Sequence, residues 1–383
     1  MFLPFSKPCI DQATIDEVVE CIKSGWLATG PRVKKFEETL KEYLHSPFAL
    51  ALTSATAGLQ LALQNIGMEN DDEVITTPMT FVASLNTIVQ ANAKPVLVDV
   101  DLRTRNIDVS KIETAITSKT KAILPVHFAG IPVDMDPLYA IAKKYNLRVI
   151  EDAAHAVGSF YKDKMIGSFG DIQVFSFHPN KVMTSGEGGC VTTRDAELAK
   201  RINIMRFHGI DREAWNRNAK EGSQHYDIVA AGYKYNMLDI QAAIGLHQLA
   251  SLETFIEKRT ALANRYNELL ADFPELTLPE MPKYSHRTCW YIYAPLINPE
   301  KANMDRDAFM DKMKAQNIGT GLHYEAVHLY SFYRNQFGFK RGDFPHAETI
   351  SDRIVSLPLF PDMTFADQDR VIDAMHKIFR GNK

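Results

Sequence analysis

The stretch from Phe175 to Gly189, "FSFHPNKVMTSGEGG", carries an apolar run into a polar turn that holds one lysine, Lys181, followed by glycines. A lysine shielded from water loses its proton readily and becomes an amine that traps carbonyl groups. A lone loop lysine is ordinarily a solvated surface residue, so its reading depends on what the rest of the chain supplies. Pyridoxal phosphate (PLP) is the commonest carbonyl partner of such an amine, and its requirements can be sought one by one. Its pyridine nitrogen needs a carboxylate that keeps it protonated, so that the ring works as an electron sink. Asp152 in "VIEDAAHA" ends an apolar run upstream of the lysine, and His155 follows three residues later, where it can cover the ring or bond its phenolic oxygen. The phosphate needs a helix N-terminus with small hydroxylated residues. "LTSATAGLQLAL" offers Ser54 and Thr56, and Ser176 lies just ahead of Lys181. Phe81 in "TPMTFVASLN" can supply an apolar face. Each signal alone is weak, since Asp, Ser and Thr also cap helices and turns. Their order along one chain is what makes them specific.

These residues need a frame that brings them together. From about residue 34 to 240, helical and strand patterns alternate. "VKKFEETLKEYLH", "TAGLQLALQNI", "FVASLNTIVQANA" and "DMDPLYAIAKKYNL" read as helices. "DEVITT", "KPVLVDV", "KAILPVHF", "RVIEDAA" and "IQVFSF" read as short buried strands. Such alternation predicts an α/β fold on a mostly parallel sheet, whose ligands sit beyond the carboxyl ends of the strands. Asp152, Ser176 and Lys181 fall there. Beyond residue 239 the pattern changes. "DIQAAIGLHQLASLETFIEKRTALANRYNELLADF" reads as one long helix, "TCWYIYAPLI" as a strand, and "RDAFMDKMKAQN" and "DQDRVIDAMHKIF" as helices. The expected division is a large PLP-binding α/β domain over residues 1–250 and a smaller C-terminal α+β domain over 251–383.

Composition excludes several other classes. The chain has 383 residues, of which 45% are hydrophobic, and a net charge of −4, with no dense basic block to hold nucleic acid. Cys9, Cys21, Cys190 and Cys289 are scattered without metal-binding or disulfide spacing. No basic segment precedes an apolar core at the N-terminus, and no apolar run approaches the roughly 18 residues that span a bilayer. The expectation is a soluble cytoplasmic protein with reduced thiols, no metal and no membrane insertion.

The segments "SGWLATGPRVKKFEE", "TSATAGLQLAL", "VDVDLRTRNID", "KAILPVHFAGIPVDMDPL", "VIEDAAHAVGSFY", "FSFHPNKVMTSGEGG" and "GYKYNMLDIQAAIGLHQL" resemble the DegT/DnrJ/EryC1/StrS sugar aminotransferases. These belong to the aspartate-aminotransferase (fold type I) PLP enzymes, and the resemblance spans nearly the whole chain. It implies that Lys181 is the cofactor lysine, Asp152 the partner of the pyridine nitrogen, and Ser54, Ala55, Thr56 and Ser176 the phosphate ligands. Phe81 takes the stacking position and His155 one that is often Gln. Where many relatives have "GYNxR", this chain has "GYKYN", so Lys234 or Asn236 is implied to reach the cofactor phosphate of a neighbouring subunit. Ala55 stands where Gly is frequent, so that turn is expected to be right-handed or extended.

The resemblance further implies a homodimer with shared sites, with L-glutamate as amino donor, 2-oxoglutarate as its product and a nucleotide-linked keto sugar as acceptor. "FLPFSKP", "GYKYNMLDI", "IGTGLHYEAVH" and "SLPLFPDMT" are most like relatives that aminate C4 of a UDP-4-keto-pentose for lipid A modification. Amination of a UDP-linked 4-keto-6-deoxy-hexose, including acetamido forms, is the alternative. "SGWLATGP" and "GLHYEAVH" are the expected sugar-contact segments, with Thr29, His323 and His328 as candidate contacts. Related dehydratases characteristically carry His in place of the lysine. A non-catalytic binding module would have no use for Lys181, Asp152 and Ser176 together.

Overall fold

The computed structural model describes residues 1–211 and 226–381. Its centre is a sheet of seven strands: β1 (Phe48–Leu52), β2 (Glu73–Thr76), β3 (Lys94–Leu97), β4 (Thr120–Ile123), β5 (Arg148–Asp152), β6 (Ile172–Ser176) and β7 (Gly189–Thr193), in the spatial order β1-β7-β6-β5-β4-β2-β3. All neighbours are parallel except β7, which runs antiparallel to both β1 and β6. This is the mostly parallel α/β sheet that the alternating pattern predicts. The alternating pattern did not single out β1 and β7. β6 is buried along its whole length, which explains why it reads as a continuous apolar run rather than an alternating one.

β5 and β6 lie side by side in register, with Asp152 opposite Val174, so their carboxyl ends open on the same edge. Helix Ala55–Asn65 packs against that part of the sheet. A Cβ on its Gly58 would fall 2.7 Å from Val174 Cγ1, so glycine is what allows the helix to sit so close. Ser54, in extended conformation (φ −166°, ψ 162°), caps this helix by accepting from the Ala57 amide, and Ala55 opens its right-handed turn. Glycine is therefore not required at position 55.

The long helical stretch after residue 239 is two helices, Asp239–Ala250 and Leu252–Leu269, divided at Ser251. The first ties down the N-terminal region. The Asp239 carboxylate accepts from the amides of Gly30, Arg32 and Val33, which satisfies the start of helix Pro31–Leu44. The second helix contributes Leu262, Ala263 and Tyr266 to a C-terminal core with Phe309, Val371 and Met375, into which Leu3 also inserts.

"TCWYIYAPLI" departs from its expected strand. Only Leu296–Ile297 forms one, with isolated bridges at Tyr293 and Leu296. Trp290 has a left-handed φ of 52°, and the carbonyls of Trp290 and Tyr291 turn to the guanidinium of Arg259 at 3.3 Å each, which removes them from any sheet ladder. Among the described residues, no helix is long and apolar enough to cross a membrane.

Candidate active site

A cavity of about 460 Å³ opens at the carboxyl edge of β5 and β6. Its wall gathers Ser54, Ala55, Thr56, Phe81, Asp152, His155, Ser176, Lys181 and His323 from segments far apart in sequence. The parallel sheet explains the convergence of Asp152, Ser176 and Lys181: neighbouring parallel strands open their carboxyl ends on the same edge.

Lys181 sits in the turn after β6. Its Nζ lies 4.3 Å from the centre of the Tyr291 ring and makes no hydrogen bond or ion pair with the described residues. Burial lowers its pKa from the ordinary lysine value to about 8, opposed by the nearby charge of Asp152. The amine is thus available in neutral form close to physiological pH. Asp152 is buried and held from two sides: Ser84 Oγ donates to Oδ2 at 2.7 Å, and the Ala154 amide donates to Oδ1 at 3.1 Å. Burial raises its pKa, while those donors and Lys181 oppose the rise.

His155 stacks on Tyr291 with ring centres 4.2 Å apart, and its Nε2 meets the Tyr324 hydroxyl at 2.9 Å. Its Nδ1 is buried without a partner. Burial and the Lys181 charge hold this imidazole well below its ordinary pKa, so it is neutral. His323, bonded to Ser356 Oγ at 2.9 Å, is neutral for the same reasons, at about 3. Phe81 remains 56% exposed and presents a free ring to the cavity, 5.9 Å from that of Tyr324. Ser54, Ala55 and Thr56 bring to the same cavity the N-terminal amides of helix Ala55–Asn65, a site suited to a phosphate.

The glycines after Lys181 allow close packing within the protein. A Cβ on Gly189 would lie 2.5 Å from the Ser54 carbonyl carbon and the Ala55 amide nitrogen, and one on Gly188 would strike Ser185. They let β7 press against the Ser54–Thr56 turn and let the lysine loop fold on itself.

Two groups of expected contacts lie elsewhere. Thr29, Lys234 and Asn236 form one cluster outside this cavity. Thr29 Oγ1 donates to the Met237 carbonyl and accepts from Asn236 Nδ2, both at 2.5 Å, and Lys234 Nζ donates to Asn236 Oδ1 at 2.7 Å. His328 must be corrected as a substrate contact. It is fully buried, its Nε2 pairs with Glu348 Oε1 at 3.0 Å, and it does not line the cavity. Conversely, Ser84, Tyr291 and Tyr324 were not singled out in the sequence. Tyr324 alone had a signal there, as the neighbour of His323 in "GLHYEAVH".

The arrangement fits PLP. It offers an unpaired amine, a buried carboxylate, an unpartnered imidazole nitrogen, an open aromatic face and a helix N-terminus around one space of suitable size.

Residues 8–376 match the model of the DegT/DnrJ/EryC1/StrS aminotransferase family. The chain is 44% identical over 381 residues to the spore coat polysaccharide biosynthesis protein SpsC of Bacillus subtilis, covering 99% of this chain and 98% of that protein. Its fold superposes on Helicobacter pylori PseC, an aminotransferase involved in the biosynthesis of pseudoaminic acid, with a TM-score of 0.92 at 28% identity, over 100% of both chains. It superposes on the PLP form of Spr1654 from Streptococcus pneumoniae with a TM-score of 0.90 at 32% identity, over 99% of each chain. The chain thus belongs to the DegT/DnrJ/EryC1/StrS aminotransferase family and is a PLP-dependent sugar aminotransferase of fold type I.

Proposed function

We propose that the chain moves an amino group from L-glutamate to C4 of a nucleotide-linked 4-keto sugar, releasing 2-oxoglutarate. The observation that carries this reading is the half-buried, unpaired Lys181 amine, set over the Tyr291 ring in the same cavity as the buried Asp152 carboxylate. When bound, PLP supplies a carbonyl that takes up the donor nitrogen and a ring that delocalises the resulting electron pair. Asp152 would hold the proton on the ring nitrogen. Ser54, Ala55, Thr56 and Ser176 would hold the phosphate oxygens. Phe81 and His155 would cover the ring. Lys181 Nζ takes the Cα proton of the donor and returns a proton to the acceptor carbon in the second half-reaction.

The stretches "FLPFSKP", "IGTGLHYEAVH" and "SLPLFPDMT" favour a UDP-4-keto-pentose and lipid A modification. The likeness to SpsC and PseC favours a second reading, a UDP-linked 4-keto-6-deoxy-hexose with or without an acetamido group, destined for surface polysaccharide. His323 is the candidate sugar contact within the chain's own cavity. The Thr29, Lys234 and Asn236 cluster, lying outside it, is read as the contribution to a partner subunit's site in a homodimer. The division at residue 250 into a large PLP-binding domain and a small C-terminal domain is part of the same reading, supported by the break at Ser251 and the separate C-terminal core.

A panel of 4-keto nucleotide sugars incubated with glutamate, read as 2-oxoglutarate formed, separates the two sugars. Turnover of neither, with PLP bound and glutamate accepted, overturns the acceptor class. Lys181→Ala is expected to abolish turnover, and wild-type turnover by that variant would remove Lys181 from the mechanism.

A further inference from the structure

We infer that Tyr291 is a further residue of the amine-transfer machinery, its ring face holding Lys181 Nζ, and that Arg259 is the positioning residue that fixes this ring. The inference rests on the assignment of Lys181 as the cofactor lysine.

Tyr291 touches two side chains of the site. Lys181 Nζ lies over its ring at 4.3 Å, and His155 stacks on it at 4.2 Å. It is buried, and its hydroxyl faces His323 Nε2 at 3.4 Å. A ring face attracts an ammonium and has no comparable affinity for a neutral amine. The ring therefore favours the protonated lysine and opposes part of the desolvation that disfavours it. The other titratable groups around Lys181 are Asp152 and Cys289, which favour its charge, and the neutral His155 and His323. His178, Glu187 and Glu325 line the same cavity.

No regular element fixes the Tyr291 ring. The chain around it has left the strand geometry, with Trp290 in the left-handed region. What fixes it is Arg259, 1% exposed on helix Leu252–Leu269. Its Nη1 donates to the carbonyls of Trp290, Tyr291 and Leu359 at 3.3, 3.3 and 3.0 Å. No carboxylate pairs with Arg259 among the described residues, and its Nε is unpartnered. A buried cation answered only by carbonyl dipoles is an expensive way to satisfy three acceptors. Its geometric effect is to clamp the two peptide groups that flank the Tyr291 side chain. Arg105, also buried, holds the far end of the same segment through the Ala294 carbonyl.

The test reads the lysine itself. Full-length cofactor-free protein is mixed with PLP across a pH series, and the growth of the visible band is followed. Only the neutral amine joins the aldehyde, with loss of water, and borohydride followed by peptide mass locates the label on Lys181. The pH midpoint of the capture rate then reports the Lys181 ammonium. Tyr291→Leu, which keeps the site apolar but removes the ring face, is expected to lower the midpoint by roughly 0.5–1 pH unit. Tyr291→Phe is expected to retain it. Arg259→Lys keeps the charge but cannot hold three carbonyls in the same fork, and is expected to move the midpoint in the direction of Tyr291→Leu. Arg259→Gln serves with the same two outcomes if that variant does not fold. An unchanged midpoint in Tyr291→Leu overturns the role of the ring. A lowered melting temperature with an unchanged midpoint in the Arg259 variant makes that residue merely structural. Absence of label on Lys181 in the wild-type chain is a different result, and removes the assignment of the lysine instead.

Discussion

Ser84 Oγ donates to Asp152 Oδ2 at 2.7 Å, across 68 residues of sequence. The Ser84 oxygen is in turn 2.8 Å from Thr80 Oγ1, so the hydroxyls form a directed chain, Thr80 to Ser84 to Asp152. All three residues are buried. Ser84 stands in the first turn of helix Val82–Gln90, which Phe81 precedes as its cap. The start of one helix therefore sets two walls of the cavity, the open aromatic face and the orientation of the carboxylate.

Removing that donor tests whether the orientation matters. Ser84→Ala leaves a buried carboxylate with one fewer hydrogen bond to its charged form, which raises the Asp152 pKa further above the usual carboxylate range. A hydrogen bond to a charged group is worth about 1.5–3 kcal/mol, so kcat is expected to fall roughly tenfold to a hundredfold. Steady-state kinetics of Ser84→Ala beside Ser84→Thr, which keeps a hydroxyl, provide the check. Equal losses in both would point to packing instead.

Gly189→Ala addresses the phosphate turn without replacing any residue assigned to a ligand. The new Cβ meets backbone atoms of Ser54 and Ala55 at 2.5 Å, and backbone cannot rotate away as a side chain can. The expected outcome is a displaced Ser54–Thr56 turn, a loss of roughly 1–3 kcal/mol in stability from overpacking, and weaker PLP binding measured by equilibrium dialysis.

The residues most readable in sequence are those that end buried strands. Asp152, Ser176 and Lys181 stand where apolar runs stop, and in a parallel sheet those ends share one edge, so local pattern predicts convergence. Ser54 was legible as a helix cap. Ser84 was not, because a serine inside an apolar helix looks the same whether it faces packing or a carboxylate. Tyr291 lay in an aromatic run with strand character, and nothing local announces that Arg259, 32 residues earlier, takes its carbonyl. Arg259 itself reads as an ordinary solvent-facing cation of an amphipathic helix. His323 and His328 could not be distinguished by spacing, since their fates are set by Ser356 and Glu348, which arrive only on folding.

That distinction between the two histidines is measurable. Glu348 accepts from His328 and from the Gly342 amide, at 3.0 and 2.8 Å, so His328→Ala removes one partner of a buried carboxylate. The cost is expected at about 1–3 kcal/mol in urea unfolding, with the KM for the nucleotide sugar unchanged. His323→Ala, at the cavity wall, is expected to raise that KM. A matching rise in His328→Ala would return it to the list of contacts.

The last prediction concerns stability and pH. The folded pKa of Lys181, about 8, lies below the 10.5 of an unhindered lysine, so between these values the unfolded chain binds more protons than the folded one. Stability of the cofactor-free protein therefore rises with pH across that window through this group. Below pH 8 the ammonium is present in both states, and its burial costs the fold the full difference, on the order of 3 kcal/mol. Lys181→Met deletes the charge and keeps an apolar side chain of similar length. It is expected to be more stable than wild type at pH 7, with the advantage shrinking above pH 8 and vanishing near the pKa of the unfolded lysine. Urea unfolding of both cofactor-free proteins at pH 7 and pH 10 measures the two ends. An advantage that does not change with pH would mean that packing, not the buried charge, separates the variants, and that the Lys181 amine is not held in the reactive form the site requires.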